Sequence, residues 1–203
     1  MKYLYLVVGE SGSGKTTICN YLTKHYGLKQ LDSYTTRPPR NPKETGHIFV
    51  SSSEFDTLRD QMVAYTEFNG YEYCATAQQI EDSDLYVIDP HGIEELKEAY
   101  KGDKPFKIIF IDAPLEVRYI RMKERALKDG MEFTEAVEAA LDRITNDVEA
   151  FYDIRHNADG QPHVTISNEK TIKSAAEAVY SYIQSYETEG QLPPPVEVEA
   201  WGN

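Results

Sequence analysis

The sequence predicts an α/β fold: a parallel sheet with helices on both faces, an inserted β-rich subdomain and a helical lid. Three observations support this. Short apolar runs recur along the 203 residues, and each is followed by a helical pattern. A Gly-rich loop separates the first run from the first helix. Between about residues 32 and 84 the pattern changes to Thr, Ser, Tyr, Phe and Gly in short alternating segments such as His47–Val50.

The elements follow in order. Tyr3–Val8 is a continuous apolar run bounded by Gly9, as a strand buried on both faces reads. A helix is expected from about Gly14 to Tyr26, stopping before Gly27. Leu85–Ile88 and Lys107–Ile111 are further strands, each followed by Asp, then Pro, then a helix. Val164–Ile166 is a fourth, followed by a helix from about Lys170 to Tyr186. Strands alternating with helices give a parallel sheet with crossovers over its faces. Residues from about 115 to 156 read as a helical lid with a break at Asp129-Gly130. The domain is expected to cover residues 1–186. Residues 187–203 hold three consecutive prolines and no Lys or Arg, and read as a solvated acidic tail.

Composition narrows the function. The net charge is −13, whereas nucleic-acid binders present concentrated basic surfaces, so no nucleic-acid partner is expected. No apolar run approaches the roughly 18 residues of a membrane span, and no signal peptide is read at the start. Cys19 and Cys74 belong to no CxxC pair or Cys/His cluster, so zinc and a disulfide framework are unsupported and a reducing cytoplasm fits. The oligomeric expectation is a monomer or a homodimer.

Gly9-Glu10-Ser11-Gly12-Ser13-Gly14-Lys15-Thr16 matches the P-loop pattern G-x-x-x-x-G-K-[ST] in full, between strand and helix where that motif belongs. Glycines let the backbone turn its N–H groups toward one point, and the helix N-terminus adds partial positive charge there. Gly9, Ser11, Gly12, Ser13, Gly14, Lys15, Thr16 and Thr17 are therefore expected to hold ATP phosphates. Lys15 would reach the β- and γ-phosphates, and the Thr16 hydroxyl would take a magnesium position. This makes the fold a three-layer P-loop NTPase and the expected cofactor Mg²⁺ with ATP. The loop leaves open where the phosphate goes.

Ser33-Tyr34-Thr35-Thr36-Arg37-Pro38-Pro39-Arg40 is the second informative stretch. Two arginines three residues apart, stiffened by two prolines, form an anion clamp, because a planar guanidinium matches a phosphate bidentately. In this order of motifs the chain resembles the guanylate kinase family. The likeness runs on through His47–Val50, Glu67–Tyr73, Asp89–Gly92, the Pro114–Arg125 helix and Ser167-Asn168. It implies a kinase that phosphorylates a small-molecule nucleotide, a nucleoside monophosphate with GMP or dGMP first. It further implies that Ser33, Arg37, Arg40, His47 and Tyr73 hold the acceptor, and that Arg121, Arg125 and Arg143 join Lys15 around the moving phosphoryl group. Asp89 would lie near the magnesium and Asn168 on the adenine side.

The chain also departs from the family. His47 stands where the family has Tyr, and Ala75 where it has Ser or Thr, unless Thr76 shifts into that place. Val87 and Ala64 stand where it has guanine-reading acids, which leaves Glu67 as the candidate reader. The alternatives are therefore the same fold acting on another nucleotide or a ribose phosphate, and a non-catalytic binding module. Asp147 and Glu149 read as a helix face.

Overall fold

The computed structural model describes residues 1–39, 42, 44–68, 70–156 and 162–187; Arg40 and the expected tail from Thr188 onward lie outside them. The main sheet has five strands, all parallel, in the order β2-β7-β1-β8-β9. These are β1 (Leu4–Val8), β2 (Gln30–Leu31), β7 (Leu85–Val87), β8 (Phe106–Asp112) and β9 (Val164–Ser167). Four of them are the apolar runs. The fifth, β2, is a two-residue edge strand, too short to leave a pattern.

Alternation along β1 builds the layers, because successive side chains leave opposite faces of a strand. Leu4, Leu6 and Val8 join one core with Ile93 and Leu96 of α4 (Pro90–Ala99). Tyr5 and Val7 join the other with Ile18 and Leu22 of α1 (Lys15–Tyr26) and Val179 and Ile183 of α8 (Ile172–Gln184). Every residue of β1 is 0% exposed, as a central strand covered on both faces requires.

The insert is a second sheet in the order β4-β3-β6-β5. It comprises β3 (Ser33–Thr35), β4 (His47–Phe49), β5 (Met62–Phe68) and β6 (Tyr71–Thr76). It also contains two short helices that a β-rich reading does not foresee, α2 (Ser52–Asp56) and α3 (Ala77–Asp82). β5 lies against α4 and ties the insert to the main body.

The lid is α5 (Leu115–Lys128) and α6 (Phe133–Ala150), followed by α7 (Tyr152–His156). The expected break holds: Gly130, at φ 93, sits in the turn between α5 and α6. Glu187, expected to open the tail, is 6% exposed and belongs to the fold. Its carboxylate accepts from the Lys2 and Tyr3 N–H groups at 2.9 and 3.1 Å and from the Tyr5 hydroxyl at 3.1 Å. Among the described residues, no helix is long and apolar enough to cross a membrane.

Candidate active site

The loop after β1 turns at two left-handed glycines, Gly12 at φ 77 and Gly14 at φ 97. Neither position has room for a side chain. A Cβ on Gly12 would press on the Arg118 carbonyl oxygen, and one on Gly14 would collide with the Asn168 amide. Gly14 caps α1, so the free N–H groups of the first turn open into the loop.

Lys15 folds back over this loop and donates to the carbonyls of Gly9 at 2.5 Å and Glu10 at 3.1 Å. Burial pushes its ammonium down to about 8, against the pull of the nearby Asp147 carboxylate. Thr16 and Thr17 are exposed on the first turn.

The lid helices meet the loop directly. Arg121 donates to the Asn168 carbonyl at 2.9 Å and reaches the Gly12 and Ser13 carbonyls at 3.4 Å. Arg125 is exposed on the same helix, near enough to Lys15 to disfavour its charge. Arg143 is half-buried on α6. Asn168 follows β9, is 0% exposed, and donates its amide to the Ser13 carbonyl at 2.7 Å. It therefore braces the loop between Ser13 and Gly14, and its Oδ1 has no protein partner.

Two residues that the sequence did not single out for the site complete the donor side. Asp147, expected on an ordinary helix face, is 7% exposed and reaches into the loop. It accepts from the Ser11 N–H at 2.7 Å and the Ser11 hydroxyl at 3.0 Å. Ser11, expected to face the phosphates, thus gives both donors to the lid. Arg118, 6% exposed, pairs with Asp147 at 3.2 Å and Glu10 at 3.3 Å. Burial raises the Asp147 carboxyl above the usual range, although Ser11, Lys15 and Arg118 all favour its ionised form. A sequence signal for Arg118 existed: it precedes Arg121 and Arg125 by three and seven residues, on the same face of α5.

The residues expected to hold the acceptor gather on the second sheet. β3 and β4 run parallel with Ser33 beside His47, and the Ser33 hydroxyl lies 2.9 Å from His47 Nδ1. The His47 ring meets the Tyr73 ring edge-on at 5.6 Å, and Tyr73 lies near enough to the Arg37 guanidinium to favour its charge. Arg37 is 8% exposed, unusual for a guanidinium, and pairs with Glu44 at 2.7 Å. Arg40 lies outside the described residues.

Glu67 is exposed on β5, opposite Glu72 of β6. Glu72 is the more enclosed of the two and accepts from the Tyr65 hydroxyl and from Arg59, both at 3.2 Å. Ala64 is packed into one core and Val87 against the other, so neither position offers a polar group. Asp89 caps α4, its Oδ1 accepting from the Gly92 N–H at 2.9 Å.

One short segment touches both α1 and Arg37. Asn20 of α1 donates to the Thr45 hydroxyl at 3.4 Å, and Gly46 lies against the Thr16 methyl, 3.9 Å from where its own Cβ would be. Glu44, which holds Arg37, is the residue before.

Fold and loop together define a P-loop α/β protein with an inserted second sheet and a helical lid. A family model described as "AAA domain" matches residues 6–141, more than half the chain. The chain belongs to that P-loop family, and the curated relatives it matches are guanylate kinases. It is 34% identical over 110 residues to a guanylate kinase of Geobacter metallireducens, a match covering 49% of this chain and 54% of that protein. It is 26% identical over 157 residues to one of Neisseria meningitidis serogroup A, covering 72% and 74%. The chain spans only 54–60% of the length of the first three curated relatives it matches. The crystal structure of guanylate kinase from Anaplasma phagocytophilum superposes with a TM-score of 0.60 at 20% identity, over 94% of this chain and 89% of that one, and shares the fold.

Proposed function

We propose that this chain transfers the γ-phosphoryl group of ATP to a nucleoside monophosphate, with GMP or dGMP as first acceptor. The observation that carries this reading is the Glu44–Gly46 segment. Its contacts run to Arg37 on one side and to Thr16 and Asn20 of α1 on the other, which supports a transfer between two anions held there.

The chemistry asked of the protein is placement and charge neutralisation. Lys15 and the loop N–H groups would hold the donor phosphates. Arg121 and Arg125 would bring cationic charge from the lid, with Arg143 further along it. Arg37, Tyr73, His47 and Arg40 would hold the acceptor phosphate, with Ser33 and Glu67 toward the base and Asn168 toward the adenine. The exposed Thr16 hydroxyl suits a magnesium ion that takes most of its ligands from water and phosphate, since among the described residues no group of three or more acids, His or Cys forms a protein cage. Bound there, the ion would neutralise charge between the phosphates. Asp89, whose Oδ1 accepts from the Gly92 N–H, would offer its second oxygen to the ion's waters.

The test is ADP release with ATP and magnesium against each ribo- and deoxyribonucleoside monophosphate and ribose 1,5-bisphosphate. GMP or dGMP is expected to give the fastest turnover, and silence with every monophosphate would sink the reading. Preference for a different base would favour the second reading, the same chemistry on another acceptor, which the apolar packing of Ala64 and Val87 supports.

The depressed Lys15 gives a pH expectation. Phosphates favour the ammonium form, so ATP binding should weaken as pH rises through about 8. Calorimetry just above that pH, in two buffers of different ionisation heat, should show proton uptake on binding; no uptake would mean Lys15 is already fully charged.

A further inference from the structure

Arg37 is held by one edge only. Glu44 takes its end-on edge with two oxygens, Oε2 from Nη1 at 3.3 Å and Oε1 from Nη2 at 2.7 Å. Nη1 also donates to the Pro38 carbonyl at 2.9 Å, and the guanidinium carbon lies 5.4 Å from the Phe49 ring centroid. Nε, on the side-on edge, is shut off from solvent and has no hydrogen-bond partner. Pair partners this enclosed, 10% and 11% exposed, are not a solvated surface bridge. A buried N–H without an acceptor carries a desolvation cost that a ligand oxygen would relieve.

We infer that Glu44 is a positioning residue: it fixes the Arg37 guanidinium by its end-on edge, so that the side-on edge, whose Nε has no partner, is kept for a phosphate oxygen. The inference rests on the acceptor role proposed above for Arg37. A free arginine samples many rotamers and offers either edge. Clamped on Glu44, at Phe49 and at Pro38, it offers one, and the ordering has occurred before the ligand arrives. Glu44 is itself anchored from the donor side, since the next two residues lie on α1 at Asn20 and Thr16. The carboxylate does not compete with phosphate, because the edge it occupies is not the edge left without a partner.

The substitution E44Q keeps shape and removes charge. In it the acceptor KM is expected to rise about tenfold, as loss of one buried charge-assisted contact implies, while kcat and the ATP KM stay within about twofold. E44D, which keeps the charge, should recover part of the loss, and it replaces E44Q if that variant does not fold. An unchanged or lower acceptor KM in folded E44Q would overturn the inference; a lower one would mean that Glu44 competes with the phosphate. A second readout needs no turnover. In nitrogen-15 spectra, the Arg37 signals, assigned by their loss in R37K, should show restricted rotation in the wild type and averaging in E44Q. Inorganic phosphate should shift the Nε signal in the wild type far more than in E44Q. Equal behaviour in the two proteins would overturn the inference even if the wild type phosphorylates no monophosphate, an outcome that by itself would defeat only the proposed function.

Discussion

Replacing Lys15 by alanine is expected to lower kcat by about a thousandfold or more while leaving the fold intact, because a preorganised cation at the charge that develops in transfer is among the largest single contributions a site makes. The surroundings of Lys15 sharpen this expectation. Its ammonium is held by two carbonyls of the loop itself, Gly9 and Glu10, so it stands over the loop before nucleotide enters. Burial lowers its ammonium to about 8, so the charge it still carries at neutral pH is held at a desolvation cost and adds nothing to resting stability. Stability should therefore be unchanged or slightly higher in Lys15→Ala at neutral pH. The paired measurement is single-turnover ADP formation with the best acceptor and the midpoint of thermal unfolding. Activity retained within tenfold would place the transfer chemistry elsewhere; activity and stability lost together would make Lys15 a structural residue.

What the sequence made legible depends on how far apart the cooperating residues lie. The phosphate loop is eight consecutive residues between a buried strand and a helix, and local chemistry fixes all of it. The four long strands of the main sheet were readable because burial on both faces leaves unbroken apolar runs. β2 was not readable, since two residues carry no period. Helices α2 and α3 were missed although their signal was present. Ser51 with Glu54 and Thr76 with Gln79 each form a reciprocal capping box, the usual mark of a helix start, inside a stretch whose Thr, Tyr and Phe content favours strands. Asp147 could not have been found by any local rule: its partner Ser11 lies 136 residues away. Only the approach of α6 to the loop turns an exposed-looking acid on a charged helix into a buried acceptor. Asn168 was expected from the family likeness on the adenine side, and its packing against Ser13 and Gly14 is likewise a tertiary fact.

The second large effect is expected at Arg118, and there it falls on stability. Arg118→Ala would leave Glu10 and Asp147 as two carboxylates, each 7% exposed, without the cation they share. Stranding buried charge of this kind costs about 3–5 kcal/mol, and for a chain of this size that is a fall of roughly 10 °C in the unfolding midpoint. Asp147→Asn should cost much less. Arg118 keeps Glu10, and the amide oxygen can still accept from Ser11. The two costs should not add. Once Asp147 is neutral, removing Arg118 takes the shared cation from one carboxylate instead of two, so the double variant should be more stable than the summed single costs imply by about 1 kcal/mol or more, the coupling expected of residues in one network. Additive costs would mean that Arg118 matters only as packing between α5 and the loop. A positive coupling would establish that the lid helices and the phosphate loop are held as one charged unit, with Glu10, Arg118 and Asp147 setting the position of Ser11.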